Sequence, residues 1–144
     1  GFGMLPMVAS KALKGTGQVY GAEMNSHITD VGEEAVVMNG LVQNTLMLNR
    51  DARRLFAKDS DGLKNGVKQD GTPPELERKA DILVYEVYDS GLIGEGCLHL
   101  AGMARHRLLT PDATLIPMGA TIFAMPISYR VSEVRGFDLA QANR

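Results

Sequence analysis

A short apolar run that ends on a carboxylate, followed by a glycine-bearing loop that ends on another, constrains this chain more than any other feature. The run is Ile82-Leu83-Val84-Tyr85, inside the segment Ala80 to Gly96, which reads ADILVYEVYDSGLIGEG. Four consecutive apolar residues between turn signals suit a buried strand of a parallel sheet, covered on both faces. Glu86 follows directly, and Glu95 closes the segment nine positions later. Between them Asp89, Ser90, Gly91 and Gly94 let the chain turn back on itself. Ligands of open α/β sheets bind outside the carboxyl ends of the strands, so Glu86 stands where chemistry is expected. The loop can return Glu95 beside it.

Two glutamates at such a spacing are ordinarily solvated surface charges. Here one ends a strand pattern and the other closes a glycine loop, which sets them apart. Two carboxylates held together suit a guanidinium, which is planar, permanently charged and carries five donors in a fork. Bidentate pairs of this kind also orient their partner.

The segment from Glu86 to Glu95, EVYDSGLIGE, resembles the double-E loop of protein arginine methyltransferases. With Asp89 three residues after the first Glu and the ending Leu-Ile-Gly-Glu-Gly, it is most similar to the branch called protein arginine methyltransferase seven, which makes monomethylarginine.

The start of the chain supplies a second element. Gly1-Phe2-Gly3 leads into Met4 to Leu13, a run with helical apolar spacing in which Pro6 falls within the first turn, where a missing N–H is tolerated. Gly15 and Gly17 stop it. A glycine turn feeding a helix lets a ligand approach the backbone and meet the helix N-terminus, although a lone G-x-G is more often a tight connection. A glycine-rich nucleotide loop normally follows a strand, and none precedes GFGMLPM. The chain is therefore expected to be a piece of a longer protein, with its natural N-terminus and any targeting signal outside it.

Gln18 to Ala22 reads as a strand ending at Glu23, twenty residues after Gly3. That matches the order strand, glycine turn, helix, strand, acid, in which the carboxylate accepts from ribose hydroxyls. A Glu after a strand can also simply cap the next helix. That helix is capped by Asn25 or Ser26 and runs through Ile28, Val31, Ala35 and Met38, spaced to bury one face, until Asn39-Gly40 stops it. His27 lies in its first turn and receives no catalytic role. Thr45 to Asn49 is a third short strand.

Residues 57 to 79 form the most polar stretch, with five glycines and prolines among mixed charges, and read as a long solvated loop. Past Glu95, the residues Leu98, Ala101, Ala104 and Leu108 fall on helical spacing, and Arg105-His106-Arg107 meets the negative end of the helix dipole. A base role for His106 is the less economical reading. Thr110-Pro111-Asp112 reads as a turn, and Thr121 to Met125 as a β-rich run between prolines.

Composition sets bounds. The 144 residues suit one domain at most, with 44% apolar and 22% charged residues. A net charge of −2 offers no case for direct nucleic-acid binding, and no apolar run approaches the length of a membrane span. The single Cys97 excludes an intrachain disulfide, suggests no metal cluster and reads as a small core residue.

The resemblance extends this reading, with gaps, from Gly1 to about Ile127. The glycine turn is similar to the second half of the methyltransferase G-x-G-x-G motif. The string LIPMGATIFAMPI is similar to the strand that leaves the nucleotide-binding half of the family toward a β-barrel. The implied fold is α/β: a Rossmann-like class I methyltransferase sheet, incomplete at its N-terminus over residues 1–112, with the start of a β-barrel over 113–144. The implied cofactor is S-adenosylmethionine, lying over Gly1, Gly3, Met4 and Leu5, with its ribose on Glu23 and Met24 beside it. Glu86 and Glu95 are implied catalytic residues clamping an arginine of a protein substrate, and Asp89 adds negative potential at the mouth. At the adenine the family usually carries an acidic residue; Arg53 or Arg54 stands there, and Asp51 can substitute.

Two other readings share part of this pattern. One is a non-catalytic methyltransferase-like subunit of a larger assembly; the other is a small-molecule methyltransferase, which gives no reason for the second carboxylate. A dimer or larger assembly and a cytoplasmic or nuclear location are further expectations.

Overall fold

The computed structural model describes residues 1–143. A helix α1 (Met4–Ala12) is followed by strand β1 (Val19–Glu23), helix α2 (Ser26–Met38) and strand β2 (Thr45–Asn49). A 3₁₀ turn (Ala52–Arg54) opens the long connection to strand β3 (Ala80–Val84). Helix α3 (Cys97–Arg107), strand β4 (Leu109–Ile116) and a small hairpin of β5 (Glu133–Val134) with β6 (Phe137–Asp138) complete the order.

Each boundary has a local cause. Asn25 caps α2 by accepting the Ile28 N–H at 3.3 Å, and Leu41 N–H to Val36 O with Gly40 N–H to Val37 O closes it as a Schellman turn. Pro6 in the first turn of α1 lies against the bare face of Gly21 on β1, where a Cβ would come within 2.9 Å of the proline ring. The helix can therefore sit close to its strand.

The α/β character is as expected, but the continuous sheet is not what the described residues contain. β1 and β2 form a parallel pair in register from Val19 opposite Thr45 to Glu23 opposite Asn49. β3 and β4 form a second parallel pair, and each of these four strands has a single ladder partner. This corrects the reading of Ile82 to Tyr85 as a buried strand. With one partner and incomplete cover, β3 keeps Asp81 and Ile82 exposed and half-buries Leu83, Val84 and Tyr85.

The core lies where the second half of the chain folds together. Leu55, Ala57, Leu76, Ala104, Leu108 and Leu109 are its buried members, with Tyr20 and Leu48 from the first strand pair and Leu83 and Leu115 from the second packed around them. Residues 57 to 79 are thus not simply solvated, because Ala57, Ser60 and Leu76 are buried. The loop is pinned by Lys58 N–H to Leu76 O and by Leu76 N–H to Phe56 O. Lys68 pairs with Glu75, both largely covered.

Two helix faces also differ from the periodic reading. α2 buries Thr29, Gly32 and Val36, while Val31 and Met38 are exposed. The reason is close packing: Gly32 lies against Gly3 and Met47, so the small residues rather than the bulky ones face the strands. α3 buries Cys97 and Ala104, with Leu98 left 70% exposed.

Thr110-Pro111-Asp112 is not a turn but lies in β4. Ala80 faces Leu109 while Ile82 faces Thr114, so the prolyl stretch bulges out of the ladder, where a missing N–H is tolerated. The boundary drawn at 112 falls inside this strand. Thr121 to Met125 forms no strand; Ile122, Phe123 and Met125 are exposed and have no ladder partner among the described residues.

Candidate functional site

The first group of site residues gathers where β1 ends. Gly3 caps α1 in the left-handed region at φ 85°. It is buried because its backbone lies against α2: a Cβ there would meet the Gly32 carbonyl at 3.2 Å. The turn is thus closed on its helix side. The Gly1 amino group contacts the Glu23 carboxylate, which also accepts the Asn25 N–H at 2.7 Å. Glu23 thus ends a strand, orders the helix entry after it, and sits beside the glycine turn. Met4, Leu5 and Met24 lie on the exposed side of this group, at 70%, 44% and 69% exposure.

The second group is the loop after β3. Tyr85 N–H still bonds to Ile116 O at 3.0 Å, so the β3–β4 ladder carries the chain to the threshold of Glu86. Glu86 and Glu95 are both exposed, and among the described residues no ion pair involves either.

Asp89 holds this loop together: its Oδ1 accepts the Gly94 N–H at 3.1 Å. Its carboxylate fills the space where a side chain at 94 would begin. Leu92 N–H to Asp89 O, at 2.9 Å, and Gly96 N–H to Ile93 O, at 3.0 Å, add two more turns. The Cys97 thiol donates to Leu92 O at 3.3 Å. That leaves Leu92 at φ 71°, a conformation costly for a branched residue without such support.

Tyr85 and Tyr88 flank Glu86, with ring centroids 5.6 Å apart. Desolvation, then the Tyr85 hydroxyl, push the Tyr88 phenol up to about 12. It remains a neutral hydroxyl.

Asp51 and the arginines form a third cluster. Asp51 caps the 3₁₀ turn through the Arg53 N–H at 3.0 Å and binds the Arg53 guanidinium through Nε and Nη2 at 2.9 and 2.7 Å. That pairing holds the Asp51 carboxyl at about 2. Its negative charge is committed to Arg53.

Sequence reasoning missed Asn49, Thr29, Tyr88 and the packing role of Gly32. The first two were detectable as polar residues at a strand end and on a helix face opposite Glu23. The last required knowing which face of α2 turns inward. Among the described residues no cluster of three or more His, Cys, Asp and Glu is placed to hold a metal ion, and no helix is long and apolar enough to cross a membrane.

No protein-family model matches the chain. Curated relatives do. An arginine N(omega)-methyltransferase from Streptomyces achromogenes subsp. streptozoticus is 31% identical over 99% of this chain and 37% of its own length. Protein arginine N-methyltransferase 7 from Anopheles gambiae is 35% identical over 88% of the chain and 16% of its own length. The protein of that name from Oryza sativa subsp. indica is 33% identical over 85% of the chain. The chain belongs to the protein arginine methyltransferase family.

Its place is on the branch named protein arginine N-methyltransferase 7. The chain spans 37% of the length of the Streptomyces relative and 16% of the mosquito and rice proteins. Membership in the arginine methyltransferases implies a class I methyltransferase fold and S-adenosylmethionine as methyl donor. The residues present fit that donor. Glu23 supplies a carboxylate acceptor for hydroxyls at the end of β1, Gly3 enters α1 without a side chain, and the first N–H groups of α1 have no partner within the helix.

Proposed function

We propose that this chain carries the cofactor- and substrate-binding core of an S-adenosylmethionine-dependent protein arginine N-methyltransferase. In this reading Gly1, Gly3, Met4, Leu5, Glu23 and Met24 hold the donor, and Glu86 and Glu95 clamp the guanidinium of an arginine in a protein substrate. The two parallel strand pairs are the portions of a Rossmann-like sheet that this chain carries, and the segment after Ile116 leads toward a β-barrel. A dimer or larger assembly in the cytoplasm or nucleus completes the proposal.

When bound, S-adenosylmethionine supplies an electrophilic methyl group on a sulfonium. The chain's own residues do the rest by positioning, which can account for much of such a barrier. A guanidinium cannot be deprotonated beforehand. Glu86 and Glu95 draw its positive charge toward two of its nitrogens and leave the third more nucleophilic. Asp89, which cinches the loop, also adds negative potential at its mouth and favours arginine-rich substrates.

The observation that carries this reading is a pair of exposed glutamates at the two ends of an internally bonded loop, in a chain of this family. Its test is Glu86→Gln. Turnover on an arginine-rich peptide should fall at least about a hundredfold, with S-adenosylmethionine affinity by calorimetry unchanged. Undiminished turnover would remove the clamp. An unaltered chain that binds the donor but never transfers would support the reading as a non-catalytic subunit.

A second reading concerns the acceptor. The relative aligned with 99% of the chain is named for arginine, without the word protein. Free arginine is therefore a competing substrate for the same clamp. Comparing kcat/KM for free arginine and for an arginine peptide separates the two.

A further inference from the structure

We propose that Asn49 and Thr29 are positioning residues for the Glu23 carboxylate, and that they govern how strongly the chain reads the ribose hydroxyls of its donor. The inference rests on Glu23 being the ribose acceptor and adds the device that aims it.

The geometry is unusually complete for an exposed strand end. Glu23 and Asn49 are direct partners in the β1–β2 register. The Glu23 carbonyl receives three donors: Arg50 N–H at 3.0 Å, Asn49 Nδ2 at 3.2 Å and the Thr29 hydroxyl at 3.2 Å. Asn49 Nδ2 also lies 3.1 Å from Thr29 Oγ1, so both of its protons have acceptors. Thr29 Oγ1 lies 3.0 Å from Asn25 O and shares its one proton between Asn25 O and Glu23 O. Thr29 is 1% exposed, and a buried hydroxyl left without partners would be costly. One small network thus ties the end of β1, the end of β2 and the first turn of α2 to a single peptide.

That peptide is the one after which Glu23 leaves the sheet. Fixing its carbonyl fixes ψ of Glu23 and the path into Asn25, whose N–H bonds the Glu23 carboxylate at 2.7 Å. The side chain is aimed from behind through its own backbone. Neither Asn49 nor Thr29 needs to touch a ligand to do this. A carboxylate held before the ligand arrives loses less freedom on binding, which raises affinity for the group it reads.

The test compares two ligands on the full chain, by calorimetry: S-adenosylhomocysteine, which keeps the donor's ribose but has no methyl to transfer, and its 2′-deoxyribose counterpart. The unaltered chain should prefer the ribose form by about tenfold or more, the scale of a charge-assisted hydrogen bond. Glu23→Gln should remove most of that preference. Asn49→Ala should reduce the preference at least about threefold while changing affinity for the deoxy form little, and Glu23→Gln with Asn49→Ala should be no worse than Glu23→Gln alone. Thr29→Ser, which keeps the hydroxyl, should behave as the unaltered chain, with thermal melting followed in parallel. Equal weakening toward both forms in Asn49→Ala, or full additivity with Glu23→Gln, would overturn the positioning role. If Glu23→Gln itself left the preference intact, the ribose assignment would fall instead.

Discussion

Single residues decide how the two halves of the site are shaped, and Gly94 is the sharpest case. Its missing Cβ makes room for the Asp89 carboxylate that accepts its N–H. Gly94→Ala should push that carboxylate out and release Glu95. We expect kcat/KM for an arginine peptide to drop about tenfold or more, with donor affinity unchanged, since a small misplacement of a positioning group is costly. Steady-state kinetics beside calorimetry checks this. At the other end, Gly3→Ala forces a side chain into φ 85° and against the Gly32 backbone. It should cost about 1–3 kcal/mol in urea unfolding. Both glycines were legible as turn residues. Only the structure gives their reasons, because each is small for the sake of a partner outside its own turn.

At the scale of elements, the three helices and the strands β1 to β3 were readable from the chain, while β4 and the inward faces were not. Asn25, Asn39 and Gly40 mark the ends of α2 by local chemistry that a sequence displays. Which side turns inward is set by close approach: Thr29, Gly32 and Val36 face the strands because β2 presents Met47 there. Val36→Ala should therefore cost about 1–3 kcal/mol, and Val31→Ala less than about 0.5 kcal/mol, when midpoints of chemical unfolding are compared. The 3₁₀ turn gives a pH signature. Arg53 lowers the Asp51 pKa from its ordinary 3.8 to about 2. A depressed carboxyl adds stability fully present above the unfolded value and lost as pH falls through the folded one. Asp51→Asn keeps the cap and removes the charge. Its melting temperature should sit slightly below that of the unaltered chain at pH 6, and the two should converge between about pH 4 and about pH 2. The pair is largely solvated, so the gap should stay within about 1 kcal/mol.

For the whole molecule, the main departure from the sequence reading is the stretch from 57 to 79. Its lysines, acids and prolines disguise two apolar anchors, because Ala57 and Leu76 stand far apart among polar residues rather than spaced with a period. Leu76→Ala should thus behave as a core truncation, costing about 2–4 kcal/mol, whereas a solvated loop would lose almost nothing. The places of Glu23 and Glu86 at strand ends were legible because an apolar run that stops at a carboxylate leaves a local trace. The split into separate strand pairs was not, since pairing partners far apart in the chain leave none. The exposed run from Thr121 to Met125 was read as a strand for the same reason. Its composition suits a sheet, and composition says nothing of which neighbour it would need.

The single ladder partner of β1 and of β3 carries a consequence for isotope exchange. Amides in a strand point alternately to its two sides, so only every second one can reach the sole neighbour. In deuterated buffer, Val19 to Glu23 and Ala80 to Val84 should each split into interleaved slow and fast sites, a comb-like pattern that a two-sided strand would not give.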